Sequence, residues 1–128
     1  MPRILVVDDD RDTRELLQSV LTTAGADVRA AGSADEAVAL VRHVMPDAIV
    51  SDIGMPGRDG YSLLHELRST PGLMPLVAVA LSAYAAPRNR EHSVVAGFQE
   101  HLAKPIDPVI LVRTLHDRLA KAAGQSSS

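Results

Sequence analysis

Cysteine is absent from this 128-residue chain, so neither a disulfide framework nor a thiolate metal site can form, and nothing points to an oxidising compartment. Aromatic residues are scarce, with two tyrosines, one phenylalanine and no tryptophan, and no cluster of Lys and Arg accompanies them. A surface that stacks on bases and neutralises phosphates is missing, so direct binding to nucleic acid is not expected. No apolar run is long enough to span a bilayer, and the amino terminus lacks the basic, apolar and small-residue succession of a secretory signal. The expectation is a soluble, cytoplasmic protein. Thirteen basic against sixteen acidic side chains leave a formal charge of −3, and 46% hydrophobic residues is an ordinary globular balance. The length suits one domain that buries a single sheet between helices.

What is present is an alternation. Ile4-Leu5-Val6-Val7 is a short β-branched apolar run ended by aspartates, as expected of a strand covered on both faces. Leu16, Leu17, Val20, Leu21 and Ala24 then recur at helical spacing, and Gly25 follows as a terminator. Ala26 to Ala31 predicts a second strand, after which Ser33 and Glu36 have the spacing of a capping box opening a second helix. Pro46 interrupts the pattern before a third strand at Ala48-Ile49-Val50-Ser51, and a glycine-rich loop leads to a helix through Tyr61, Leu64 and Leu67. Leu76 to Leu81 predicts the fourth strand, Pro87 to Ala96 a fourth helix and Phe98 to Ala103 the fifth strand. Asp107-Pro108 then opens a fifth helix carrying Leu111, Val112, Leu115 and Leu119. Residues 1–122 are expected to form the domain, and 123–128, ending in serines, a flexible tail or trimmed linker.

Strands that alternate with helices pair in parallel through right-handed crossovers. The predicted fold is therefore a doubly wound α/β domain of five parallel strands in the flavodoxin-like order 2-1-3-4-5, with five helices. Such a sheet brings the carboxyl ends of its strands to one edge. At those ends stand Asp8 and Asp9, Asp52, Ser82 and Lys104. Converging carboxylates repel and raise one another's pKa unless a cation neutralises them. Mg²⁺, which takes oxygen ligands and keeps several waters beside one or two carboxylates, is the economical partner. Asp9, Asp52 and a backbone carbonyl near Gly54 can supply the protein's share.

Taken singly, each residue has a plainer reading. Acids after strands often cap helices, a lone Ser82 is a turn residue and a lone Lys104 a solvated charge. His43, His65, His92 and His116 show no metal-binding spacing and read as surface residues, and the methionines read as core filling.

The segments Leu5-Val6-Val7-Asp8-Asp9, Asp52-Ile53-Gly54-Met55-Pro56-Gly57-Arg58-Asp59-Gly60, Leu81-Ser82-Ala83 and Lys104-Pro105 resemble, in order, the signatures of two-component response-regulator receiver domains. The resemblance runs from residue 3 to about 120. It implies that Asp52 is the phosphoacceptor, that Asp8 and Asp9 serve a Mg²⁺ shared with Asp52 and Gly54, that Ser82 is the hydroxyl switch residue and that Lys104 contacts the phosphoryl group. It also implies a cis peptide at Lys104-Pro105. The donor would be a histidine kinase or histidine phosphotransfer protein docking near the first helix. Gly97 to Asp107 is most similar to receivers attached to hybrid sensor kinases, so further domains of one parent chain are expected partners. Such a domain is not a conventional enzyme and catalyses at most its own phosphorylation and dephosphorylation.

Two positions depart from the family pattern. His101 stands three residues before the lysine, where Tyr or Phe is usual, so coupling from the fourth strand to the fifth is expected to be weaker or differently read. Gly54, two residues past Asp52, places no side chain beside the phosphoryl group, a space that Tyr84 would cover. Two other functions compete. Asp8-Asp9-Asp10 also resembles the Asp-x-Asp of haloacid-dehalogenase-type phosphatases, with Asp8 as nucleophile and Asp10 as general acid. Against this, Asp12 stands where Thr or Val is usual, and the chain has no room for a substrate cap. The third reading is a binding module that keeps the fold without switching.

Overall fold

The computed structural model describes residues 1–55, 57, 59–70, 76–83 and 97–124. Five strands, β1 (Arg3–Val7), β2 (Asp27–Ala31), β3 (Ala48–Asp52), β4 (Val77–Ser82) and β5 (Glu100–Ala103), alternate with α1 (Arg11–Thr23), α2 (Ala34–Val41), α3 (Gly60–Arg68) and α4 (Pro108–Ala122). All strand pairs are parallel and their order is β2-β1-β3-β4-β5, as the alternation predicts. Four helices lie among the described residues, and the further one expected over Pro87 to Ala96 falls outside them.

The central strands carry unbroken apolar runs because each has a helix layer on both faces. Leu5 and Val7 face one way, into a cluster with Leu63, Leu64, Leu67 and Phe98, where α2 and α3 pack. Ile4 and Val6 face the other, into a cluster with Leu17, Leu21, Leu111 and Leu115 from α1 and α4. That two-residue alternation is the period of a strand expressed as two separate cores.

The helix starts follow the sequence closely. Asp10, Ser33, Asp59 and Asp107 sit at extended backbone angles just before the helices, and each accepts hydrogen bonds from first-turn amides. Gly25 takes a φ of 100° after α1, which a side chain would resist. The fifth strand starts later than the apolar pattern predicts. Gly97 turns with a φ of 107°, Phe98 enters the core, and the Gln99 side chain accepts from the Ala78 amide at 2.8 Å. That amide is thereby occupied by a side chain, and regular pairing begins one step on, at Glu100 opposite Val79.

Not every methionine fills the core. Met55 is buried, whereas Met1 and Met45 are exposed on chain ends and loops where no facing layer exists. His43, His65 and His116 are exposed as expected, and His92 lies outside the described residues.

Candidate functional site

The parallel register sets the site. Val7 pairs with Ser51, Asp52 with Leu81 and Ser82 with Ala103, so the residues that leave these strands emerge side by side. The Lys104 amide donates to the Ser82 carbonyl at 2.9 Å, and the Ile53 amide to Leu81 at 3.1 Å, extending the ladder to the pocket. Asp8, Asp52 and Ser82 are buried, Lys104 is partly buried, and Asp9 and Gly54 are exposed at the mouth.

Three carboxylates converge there. Asp8, Asp9 and Asp52 each offer an oxygen, and these oxygens lie within 4.8 Å of one another. Lys104 Nζ stands 2.9 Å from Asp8 Oδ2 and 3.2 Å from Asp52 Oδ2. Asp8 Oδ2 is wholly enclosed, and its contact with the ammonium lies outside hydrogen-bonding geometry, so the pairing is ionic. Asp8 Oδ1 accepts from the Asp10 amide at 2.9 Å, and Asp52 Oδ1 from the Gly54 amide at 3.0 Å. A buried oxygen left short of directed donors, two further carboxylate oxygens close by and an open mouth make a donor set that fits a hard divalent cation.

Electrostatics follow from burial. Burial pushes the Asp8 carboxyl above its ordinary value, against the pull of the Lys104 ammonium and the Asp10 amide. Burial would lower the Lys104 ammonium, but its contacts with Asp8 and Asp52 outweigh that, and its pKa is raised. Both acid and base are thus held by the pocket in a strained balance of desolvation and attraction.

Residues 4–116 match the response regulator receiver domain family. The chain belongs to that family. It is 44% identical over 86% of its length to an uncharacterized 14.6 kDa protein of Leptolyngbya boryana, covering 84% of that protein. It is 40% identical over 80% of its length to the response regulator MprA of a Mycobacterium species, of which it spans 44%. The receiver domain of a signal transduction histidine kinase from Syntrophus aciditrophicus superposes with a TM-score of 0.82 at 29% identity, covering the whole chain and 95% of that domain. As a receiver domain the protein is a phosphoryl-accepting signalling switch, and no described helix is long and apolar enough to cross a membrane.

The receiver's predicted site residues are brought together with two qualifications. His101 is the second residue of β5, opposite Ala80, half-buried and back from the carboxyl end where Ala103 leads to Lys104. Tyr84, expected to cover Gly54, lies outside the described residues. The Lys104-Pro105 peptide is cis. Asp10 caps α1, accepting from the Thr13 amide at 3.1 Å and the Thr13 hydroxyl at 2.5 Å, which commits its carboxylate to the helix end and disfavours the phosphatase reading.

Three supporting residues were missed in the sequence. Ser51, buried beside Asp52, donates its hydroxyl to the Asp52 carbonyl at 2.9 Å. A Cβ on Gly60 would stand 2.7 Å from that same carbonyl. Arg14 Nη1 donates to the Asp8 carbonyl at 2.9 Å. A polar residue inside an apolar strand and a cation in a helix's first turn are the signals that could have marked Ser51 and Arg14.

Proposed function

We propose that this receiver takes a phosphoryl group on Asp52 in a Mg²⁺-dependent reaction and transmits the change through Ser82. The observation that carries the reading is the Lys104 ammonium 3.2 Å from the Asp52 carboxylate, at the mouth of an acidic cluster. Asp8, Asp9, Asp52 and the Gly54 backbone would hold the ion. When bound, it supplies positive charge against which the equatorial phosphoryl oxygens can lie.

The chain's own groups do the rest. An Asp52 carboxylate oxygen attacks phosphorus as the bond to the donor nitrogen breaks, and Lys104 Nζ meets charge developing on an equatorial oxygen. The Gly54 amide, already donating to Asp52 Oδ1, orients the carboxylate for in-line approach. Once phosphorylated, Asp52 offers acceptor oxygens to the Ser82 hydroxyl, and movement of Ser82 drags the chain beyond β4. His101, in place of the usual aromatic, reads that movement weakly on β5.

The phosphoryl donor is a histidine kinase or a histidine phosphotransfer protein that docks near α1. Residues 1–122 form the functional unit and 123–128 a tail or linker, in the cytoplasm, with further domains of one parent chain as neighbours. Intact-mass spectrometry after incubation with acetyl phosphate and Mg²⁺ tests the chemistry. One phosphoryl adduct is expected on the wild type, and none on Asp52→Asn or after chelation of the metal. An adduct that persists in Asp52→Asn would sink the assignment.

A further inference from the structure

Arg14 is placed where simple helix energetics disfavour it. It sits one turn into α1, whose N-terminal end carries partial positive charge and favours anions such as Asp12. The cation is nonetheless folded back toward the strand ends, where Nη1 donates to the Asp8 carbonyl at 2.9 Å across a half-buried interface.

A second observation concerns Gly32, in the turn between β2 and α2. Its φ is not among the positive values that call for glycine. A Cβ there would instead stand 3.1 Å from Arg14 Nη1 and 3.6 Å from its Cζ. The missing side chain is a berth for the guanidinium. Glu36 flanks the same berth, its Oε2 accepting from the Gly32 amide at 3.3 Å.

We infer that Arg14, seated against Gly32, is a positioning residue for the acidic pocket: it holds the Asp8-Asp9 peptide and thereby aims the Asp9 carboxylate. The Asp8 carbonyl and the Asp9 amide belong to one planar unit, so a hydrogen bond to the oxygen restrains rotation of the whole peptide. The Asp8 amide is tied separately, donating to Ala31 at 3.1 Å, and the Asp8 side chain is tied by Lys104 and the Asp10 amide. Asp9 is exposed and has no such enclosure. Its direction depends on the peptide that Arg14 holds.

The inference rests on the cation-binding reading above and adds the means by which one ligand is oriented. Two roles for Arg14 oppose each other in sign. As a nearby positive charge alone, it repels a divalent ion, and its removal should tighten binding. As the holder of Asp9, its removal should weaken binding, because groups that orient metal ligands typically contribute about tenfold or more in affinity.

Calorimetric titration with Mg²⁺ of the wild type, Arg14→Gln and Gly32→Ala, with a thermal melt of each, separates these. Gly32→Ala keeps the charge and pushes the guanidinium back by a few tenths of an ångström, so it carries the test, with a smaller effect, if Arg14→Gln does not fold. The expected result is a Kd raised about tenfold in Arg14→Gln, and raised by a smaller factor in Gly32→Ala. An unchanged or lower Kd in the folded variants, even with a lower Tm, overturns the inference while leaving the proposed function standing. A wild type that takes up no Mg²⁺ removes the proposed function and this inference with it.

Discussion

Lys104 and Asp8 form an ion pair of 2.9 Å between the ends of β5 and β1, with the Asp8 side chain entirely enclosed and the lysine about one-fifth exposed. Truncating the lysine leaves an enclosed carboxylate without its cation, a loss of about 1–3 kcal/mol once the partial exposure is discounted. Lys104→Met should therefore lower the urea midpoint in chelator. Because an ion bound only by the folded state adds RT ln(1 + [L]/Kd), Mg²⁺ at about 100-fold over Kd should restore about 2.7 kcal/mol. A variant as stable as the wild type in chelator would show that the pair contributes nothing.

The same pair predicts how stability varies with pH. Asp8 is raised above its ordinary 3.8, so the folded state holds that proton more tightly than the unfolded chain. Its contribution is present below 3.8 and is lost as pH climbs through the raised value. Lys104 is raised above 10.5, so its contribution is present below 10.5 and is lost as pH climbs through the higher folded value. Denaturant unfolding in chelator should show Asp8→Asn removing the acid-side slope and Lys104→Met the alkaline one. Parallel wild-type and variant curves across either window would contradict the shift concerned.

Among the described residues, a Cβ added at Gly54 would meet only Asp52 Oδ1, at 3.8 Å, which leaves that carboxylate open on this side. Gly54→Asn should slow dephosphorylation several-fold by obstructing the attacking water, while changing stability by less than about 0.5 kcal/mol, as exposed substitutions do. Decay of the mass adduct after removal of acetyl phosphate measures it. Equal half-lives would count against an open approach at this position.

Gly60 is the opposite case. A Cβ there would stand 2.7 Å from the Asp52 carbonyl and 2.9 Å from the Ile53 Cα, both backbone atoms that cannot step aside. Gly60→Ala should cost about 1–3 kcal/mol by overpacking and slow phosphoryl uptake by shifting Asp52. Chemical denaturation and the uptake rate check both. Wild-type values in each would show that α3 yields without disturbing β3.

Ser82 and His101 test transmission. With beryllofluoride and Mg²⁺, amide shifts should be large around Asp52 and Ser82 and small at His101. Ser82→Ala should bind the analogue yet lose the shifts beyond β4. Shifts at His101 as large as those at the phosphosite would overturn the weak-coupling reading.

Much of the pocket was legible because strand ends in a parallel sheet share an edge. Apolar runs stopping at Asp8, Asp52, Ser82 and Lys104 were enough to predict that these strand ends share one edge, where Asp8, Asp9 and Asp52 cluster. The caps at Ser33 and Asp107 were legible for a similar reason, being contacts over three residues or fewer, as with Ser33 and Glu36. Ser51 bonds to the next residue and was overlooked rather than hidden. Gly60 and Arg14 were not legible, because their partners are set by how helices seat on the sheet, and no local spacing encodes a guanidinium resting on Gly32 or a backbone passing Gly60.

The sequence by itself thus determined the element order, the two-faced burial of the strands and the identities gathered at one edge, because strand and helix periods are local properties of the chain. Only the tertiary structure decided that Lys104 divides its charge between Asp8 and Asp52 and that Arg14 reaches back to the Asp8 carbonyl. Those outcomes depend on ångström-scale distances between separate elements, which packing sets and composition does not.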